Sequence, residues 1–135
     1  MEMEIFGLLA TPAGTAAVAI YFVHKFMNFH KGSLDRMIEE GVLKPLMRLA
    51  ESQDNEVRKE VSRAFALFAS KRDSHTALVR AHAATRIMQF LEDPNLVVQR
   101  FGVLGIGNLA VSRESHQELF DVGAVAALLP CIKTD

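Results

Sequence analysis

The sequence predicts an all-α protein in which short helices stack into a solenoid. From residue 33 onward, similar residue types recur at a spacing of 41 positions. Within each repeat, apolar residues follow the three- and four-residue spacing of helices that bury one face. A period near 40 residues with helical content is typical of α-solenoids.

Each repeat unit is predicted to contain a short, a medium and a long helix. Three positions recur in each unit. The short helix starts with a serine (Ser33, Ser74 and Ser115), and a turn residue follows it (Gly41, His82 and Gly123). The medium helix then carries an apolar residue (Leu46, Ile87 and Leu128). The units are residues 33–73, residues 74–114 and a partial unit of residues 115–135, which together form one domain, residues 33–135.

Helix boundaries are predicted from capping residues. Ser52 and Asp93 are expected to cap the long helices of the first two units, with Pro94 at the first helical position of the second. Ser115 and Glu118 have the spacing of a capping box.

The clearest long helix is predicted for residues 94–111, which read PNLVVQRFGVLGIGNLAV. Gly102, Gly105 and Gly107 fall within it, and no strand precedes them as a nucleotide-binding loop would require. We therefore interpret these glycines as positions where neighbouring helices approach closely.

Three segments resemble the armadillo repeat family: EEGVLKPLMRLAESQDNEVRKEVSRAFALFAS, NLVVQRFGVLGIGNLAVS and FDVGAVAALLPCI. They contain the glycine turn, the Pro-Leu-x-x-Leu pattern of the middle helix and the Asn-Leu-Ala ending. The resemblance covers residues 33–135 and implies a right-handed α-solenoid of about two and a half armadillo-like repeats.

The resemblance also implies a concave groove lined by the long helices. Helical spacing assigns to it Lys59, Arg63, Leu67, Arg100, Leu104 and Asn108. In peptide-binding family members, the asparagine that corresponds to Asn108 pairs with the backbone of an extended ligand. This chain departs from that pattern, because Leu67 replaces the equivalent asparagine and because Arg63 and Leu104 replace tryptophans.

The departures lead to two interpretations of the groove. We favour a solvated face in which the arginines form i,i+4 ion pairs. The alternative is a groove for an acidic or apolar segment, since the arginines would repel a basic one.

The third unit lacks its long helix in this sequence, which stops at Asp135. Val125, Leu128, Leu129 and Ile132 are therefore expected to be exposed on a terminal face. Solenoids generally need about three repeats with polar ends, so we expect a protein partner to cover this face.

Residues 1–32 do not share the repeat and form a hydrophobic N-terminal segment, with a run of 19 uncharged residues at positions 5–23. A helix of that length spans roughly 28 Å, close to the bilayer core of about 30 Å. We predict a single membrane span, with the repeat domain on the cytosolic or matrix side because lysines follow it, and suggest the mitochondrial inner membrane. The alternative is a hydrophobic helix buried against a partner or against the open end of the solenoid. In either case Ala10, Gly14 and Ala17 would allow close helix packing.

Composition excludes several functional classes. A net charge of −1 gives no general attraction for nucleic acid. The single cysteine, Cys131, allows no internal disulfide and no cysteine-based metal cluster. His75 and His116 each follow a serine, but both pairs recur with the repeat and are interpreted as architectural.

The sequence therefore predicts a non-enzymatic accessory subunit of a larger membrane-associated complex, which braces its neighbours through the solenoid and forms a hetero-oligomer. No cofactor, metal or small-molecule substrate is expected. The alternative is a soluble adaptor of the armadillo type that binds an extended peptide in its concave groove.

Overall fold

The computed structural model describes residues 37–39 and 41–133. Residues 37–39 are helical, and seven α-helices follow in this described part: α1 Leu43–Leu49, α2 Asn55–Ala69, α3 His75–Arg80, α4 Ala83–Phe90, α5 Leu96–Leu109, α6 Arg113–Asp121 and α7 Ala124–Ile132. A 3-10 turn at Arg72–Ser74 leads into α3. The predicted N-terminal span at residues 5–23, including Ala10, Gly14 and Ala17, lies outside the described residues.

The predicted all-α repeat is confirmed. Helix α2 begins at Asn55 and α5 at Leu96, and helix α4 begins at Ala83 and α7 at Ala124, so both pairs are 41 positions apart. The second unit has the expected short, medium and long helices, which are α3, α4 and α5. In the third unit, α6 and α7 are the short and medium helices.

The turn between the short and medium helices has the same left-handed backbone in all three units. The φ angles are +89° at Gly41, +55° at His82 and +75° at Gly123. Glycine adopts this conformation without strain, whereas a side chain makes it costly. His82 is therefore the strained member of the three equivalent turns.

The predicted caps of the long helices are wrong by two residues. The observed caps are Asp54 for α2 and Asn95 for α5, whose side-chain oxygens accept hydrogen bonds from first-turn amides. Ser52 and Asp93 instead accept from the backbone amides of these two caps, at 3.2 and 2.9 Å. Such local side-chain bonds form turns rather than helix starts, and they leave Pro94 outside α5.

The predicted capping box of the third unit is also wrong. Helix α6 begins at Arg113, with Ser112 at the N-cap position. Ser115 therefore lies inside the helix, where its buried hydroxyl is 3.1 Å from the Ser112 hydroxyl. The helix starts earlier than the repeat predicts.

Helix α5 packs closely on α4 because glycines face α4. A Cβ atom at Gly102 would lie 2.9 Å from the Phe90 Cβ, and one at Gly105 would lie 3.0 Å from the Ile87 Cγ2. The close approach predicted for these two glycines is confirmed. It is wrong for Gly107, whose Cβ position has no atom within 4 Å.

Arg58 joins the first two units through a largely buried ion pair. Its Nε atom donates to Asp93 Oδ2 at 2.7 Å, and its Nη1 donates to the Ser52 carbonyl at 2.8 Å. The equivalent residue in the second unit is Gln99, whose Nε2 donates to the Asp93 carbonyl at 2.6 Å. The contact with the loop before the long helix is thus repeated in the second unit, whereas the ion pair to the following unit is not.

The two Ser-His pairs lie at repeated structural positions. Nε2 of His75 donates to the Ala69 carbonyl at 2.6 Å, and Nε2 of His116 donates to the Ala110 carbonyl at 2.8 Å. Each carbonyl lies at the C-terminal end of a long helix, where acceptors lack helical partners. Because the carbonyl can only accept, Nε2 carries the hydrogen, and Nδ1 of a neutral His75 accepts from the Ser112 hydroxyl at 2.7 Å.

Glu118 on α6 lies beside the start of α4. Burial raises the pKa of Glu118, while the charge of His82 and a hydrogen bond from the Ala84 backbone partly oppose that effect. Its Oε1 atom is buried and has no hydrogen-bond partner in the described part of the chain.

We expect His82→Gly to increase the free energy of unfolding by about 1 kcal/mol, because glycine relieves the left-handed strain. The matched change Gly123→Ala should decrease it by a similar amount, since it introduces that strain. Urea unfolding of the two variants at one pH measures both effects. A less stable His82→Gly variant would show that side-chain contacts outweigh the backbone effect.

We expect Glu118→Gln to change how stability depends on pH. A carboxyl with a raised pKa binds its proton more tightly in the folded state than in the unfolded state. The natural protein therefore loses stability as the pH rises from the ordinary glutamate pKa of about 4.3 through the pKa of the folded state. Glutamine does not titrate, so the stability of the natural protein relative to the variant should fall over that interval. Urea unfolding across that pH range tests this, and a constant difference between the proteins would contradict it.

Candidate functional site

The predicted groove residues lie on two neighbouring long helices, and we call this surface the α2–α5 face. It consists of Lys59, Arg63, Leu67, Arg100, Leu104 and Asn108. The helices run in the same direction, since successive contacts join Arg58 to the loop before α5, Arg63 to Phe101 and Ala66 to Asn108.

Arg63 lies where the two helices meet. Its guanidinium is 5.3 Å from the centre of the Phe101 ring on α5, which is a cation–π geometry. The same guanidinium is 3.6 Å from a carboxylate oxygen of Glu60. Arg63 therefore covers an aromatic ring at the position where the resemblance implies a tryptophan.

The cations of this face differ in their pairing. Lys59 pairs with Glu56 at 2.8 Å, and Arg63 pairs with Glu60. Both pairs span three residues, so the predicted spacing of four is wrong. Arg100 is exposed and has no ion pair within the described ranges.

Asn108 binds α2 through one of its amide hydrogens. Its Nδ2 donates to the Ala66 carbonyl at 3.1 Å. The other Nδ2 hydrogen and the Oδ1 atom have no bonding partner among residues 37–39 and 41–133. The side chain is half-buried, so these two groups are held in place beside the exposed Leu104, which is 51% accessible.

Sequence reasoning missed Phe101 and Glu60 as parts of this face. Phe101 matches the apolar pattern of α5, but it lies half-exposed under Arg63. Glu60 could have been found from its i,i+3 spacing to Arg63. Phe101 could not, because only packing of the two helices brings it to Arg63.

The predicted terminal face contains exposed apolar side chains. The exposed fractions are 67% for Val125, 47% for Leu129 and 77% for Ile132, and Leu128 is half-buried. All four belong to α7.

The described part of the chain contains neither a candidate metal site nor a candidate membrane-spanning helix. No group of three His, Cys, Asp or Glu side chains there is arranged to hold a metal ion. No helix among those residues combines the length and apolar character needed to cross a bilayer.

Solved structures show the same helical arrangement. The chain is similar to computationally designed armadillo repeat proteins for modular peptide recognition, with 26% sequence identity and a TM-score of 0.73 over 91% of this chain and 49% of that one. It is also similar to an engineered protein from the Northeast Structural Genomics Consortium, with 22% identity and a TM-score of 0.81 over 97% of this chain and 33% of that one. The chain thus spans about half and one third of the lengths of these proteins.

No protein-family model matches the sequence. No curated protein matches it either. The structural similarity supports an armadillo-like repeat fold, in agreement with the resemblance seen in the sequence.

Proposed function

We propose that this chain is a non-enzymatic protein-binding module whose α2–α5 face holds an extended peptide segment. One observation carries the proposal: on α5 the Asn108 amide is fixed one helical turn from the exposed apolar side chain of Leu104, and Arg100, a further turn along, has no ion pair among the described residues. The similarity to proteins designed for modular peptide recognition supports it.

The Asn108 amide matches the hydrogen-bonding groups of an extended backbone. An extended segment has free N–H and C=O groups, whereas a helix uses these groups internally. Oδ1 of Asn108 accepts from a ligand N–H, and its remaining Nδ2 hydrogen donates to a ligand carbonyl. The bond from Asn108 to Ala66 orients the amide before the ligand binds, which reduces the entropy lost on binding.

The charges of the face favour a ligand with acidic and aliphatic side chains. Lys59 and Arg63 already pair with carboxylates of α2, whereas Arg100 does not. A ligand carboxylate therefore gains most by pairing with Arg100, and an aliphatic side chain packs on Leu104. Two adjacent helices cover about 20 Å, which corresponds to about six extended residues.

We expect Arg100→Glu to weaken binding of acidic peptides by about fivefold or more, since each exposed charge contact contributes up to about 1 kcal/mol. The probes are synthetic hexapeptides of alternating Asp and Leu, with matched peptides of Lys and Leu, measured by fluorescence anisotropy. The control variant is Arg113→Glu, which reverses an exposed charge on α6 away from this face.

A second variant, Asn108→Ala, tests the backbone contact and should weaken all peptides that bind, whatever their charge. Binding that is unchanged in both variants would contradict the proposal. Preference for the Lys and Leu peptide would contradict the assigned ligand chemistry.

A second candidate function is an accessory subunit of a larger membrane complex. It is favoured by the uncharged run at residues 5–23, which lies outside the described residues, and by the exposed apolar residues of α7. In this function residues 5–23 enter the bilayer, and other protein subunits bind the solenoid. Its placement at the mitochondrial inner membrane stays a prediction.

Membrane fractionation of the full chain distinguishes the two candidates. The subunit function predicts that the chain sediments with membranes and, after extraction in mild detergent, migrates in an assembly far above 14.9 kDa. Deleting residues 5–23 should release it from the membrane. If the intact chain stays in the supernatant at its own size, the subunit function is wrong.

A further inference from the structure

Asn108 has an exposed apolar neighbour on each side along α5. Leu104 lies one helical turn before it, and Val111 lies three residues after it, just beyond the last helical residue, Leu109. The exposed fractions of Leu104 and Val111 are 51% and 66%. The Val111 amide donates to the Asn108 carbonyl at 3.4 Å. Because a bond between residues three apart stacks their side chains on one side of the turn, the α2–α5 face continues past Asn108 to Val111.

The first unit has the same backbone geometry with a different side chain. Ser70 is the equivalent of Val111, and its amide donates at 3.2 Å to the carbonyl of Leu67, the equivalent of Asn108. Ser70 stays exposed although α5 packs on α2. This position is thus open to a ligand even in a unit whose neighbouring long helix is in place. We call Ser70 and Val111 the C-terminal edge of the α2–α5 face.

We propose that Val111 determines specificity for an aliphatic side chain of the peptide that Asn108 holds. This inference rests on the proposed function, because the peptide backbone is placed at the Asn108 amide. An extended peptide that crosses α2 and α5 points successive side chains to opposite sides of its backbone. One side chain therefore lies toward Leu104 and Arg100, and the next lies toward Val111.

The spacing along α5 fits this alternation. Leu104 lies about 6 Å before Asn108 and Val111 about 5 Å after it, so side chains on both sides of one backbone reach an apolar neighbour. The Val111 side chain has no polar atom, and a polar ligand group laid on it loses water without gaining a hydrogen bond. An aliphatic side chain there removes apolar surface of both partners from water.

The C-terminal edge is apolar over α5 and polar over α2. The Ser70 hydroxyl donates to the Leu67 carbonyl at 2.6 Å, and its oxygen can still accept a hydrogen bond. An aliphatic side chain therefore gains at Val111 and not at Ser70. The preferred ligand thus carries two consecutive apolar residues where it crosses α5, one on Leu104 and the next on Val111.

Two hexapeptides that differ only on the C-terminal edge measure this preference. Both carry Asp, Leu and Asp at their first, third and fifth positions, and the other three positions are all valine in one peptide and all serine in the other. Fluorescence anisotropy with the full chain gives the ratio of the two dissociation constants. We expect the valine peptide to bind about fivefold more tightly, as partial burial of one valine side chain predicts.

Matched variants locate the source of this ratio. Val111→Ser should reduce it to about twofold or less, and Ser70→Val, which extends the apolar edge onto α2, should raise it by a further factor of about three. The control is Leu96→Ser. Leu96 is 63% exposed on the same helix, but it lies roughly 18 Å from Asn108 along α5, so the ratio should stay at about fivefold. The three changed residues are exposed, and their replacement leaves the core intact.

The outcomes separate this inference from the proposed function. If Asn108→Ala weakens both peptides but Val111→Ser leaves their ratio unchanged, the role of Val111 is wrong and the proposed function stands. Tighter binding of the serine peptide would overturn the role of Val111 in the same way. If neither peptide binds the natural protein, or if Asn108→Ala has no effect, the proposed function is wrong and this inference is wrong with it.

Discussion

The close packing of α5 against α4 is the constraint on which the rest of the structure depends. Gly102 and Gly105 have no side chains to separate the two helices. A Cβ at Gly102 would lie 2.9 Å from Phe90, and one at Gly105 would lie 3.0 Å from Ile87, both closer than ordinary van der Waals contact. Each glycine lowers the helix propensity by up to about 1 kcal/mol relative to alanine. Burial of Ile87 and Phe90 offsets this cost, since each fully buried side chain of that size contributes roughly 1.5–3 kcal/mol.

The contacts of the α2–α5 face follow from that packing. Because α5 is fixed on α4 and α2, Phe101 lies beneath Arg63, and Asn108 reaches the Ala66 carbonyl. A displacement of α5 by one side-chain layer would break both contacts. The glycines that lower the helix propensity of α5 therefore determine the geometry of the candidate peptide site.

The sequence alone predicted the repeat and its turns because both depend on local residue types at a fixed spacing. The left-handed turn at His82 was recognised only through its glycine equivalents, since histidine itself gives no such signal. The cap positions were missed because Asp93 has two local options, and its side chain bonds the backbone two residues ahead instead of capping α5.

Contacts between units were not predictable from one helix at a time. Arg58 and Asp93 are 35 positions apart, and each looks like an ordinary polar residue of its own segment. The contact between Arg63 and the Phe101 ring on the α2–α5 face was missed for the same reason. What the repeat does provide is a comparison of equivalent residues, such as Arg58 with Gln99, which shows that the loop contact recurs in both units and that the ion pair does not.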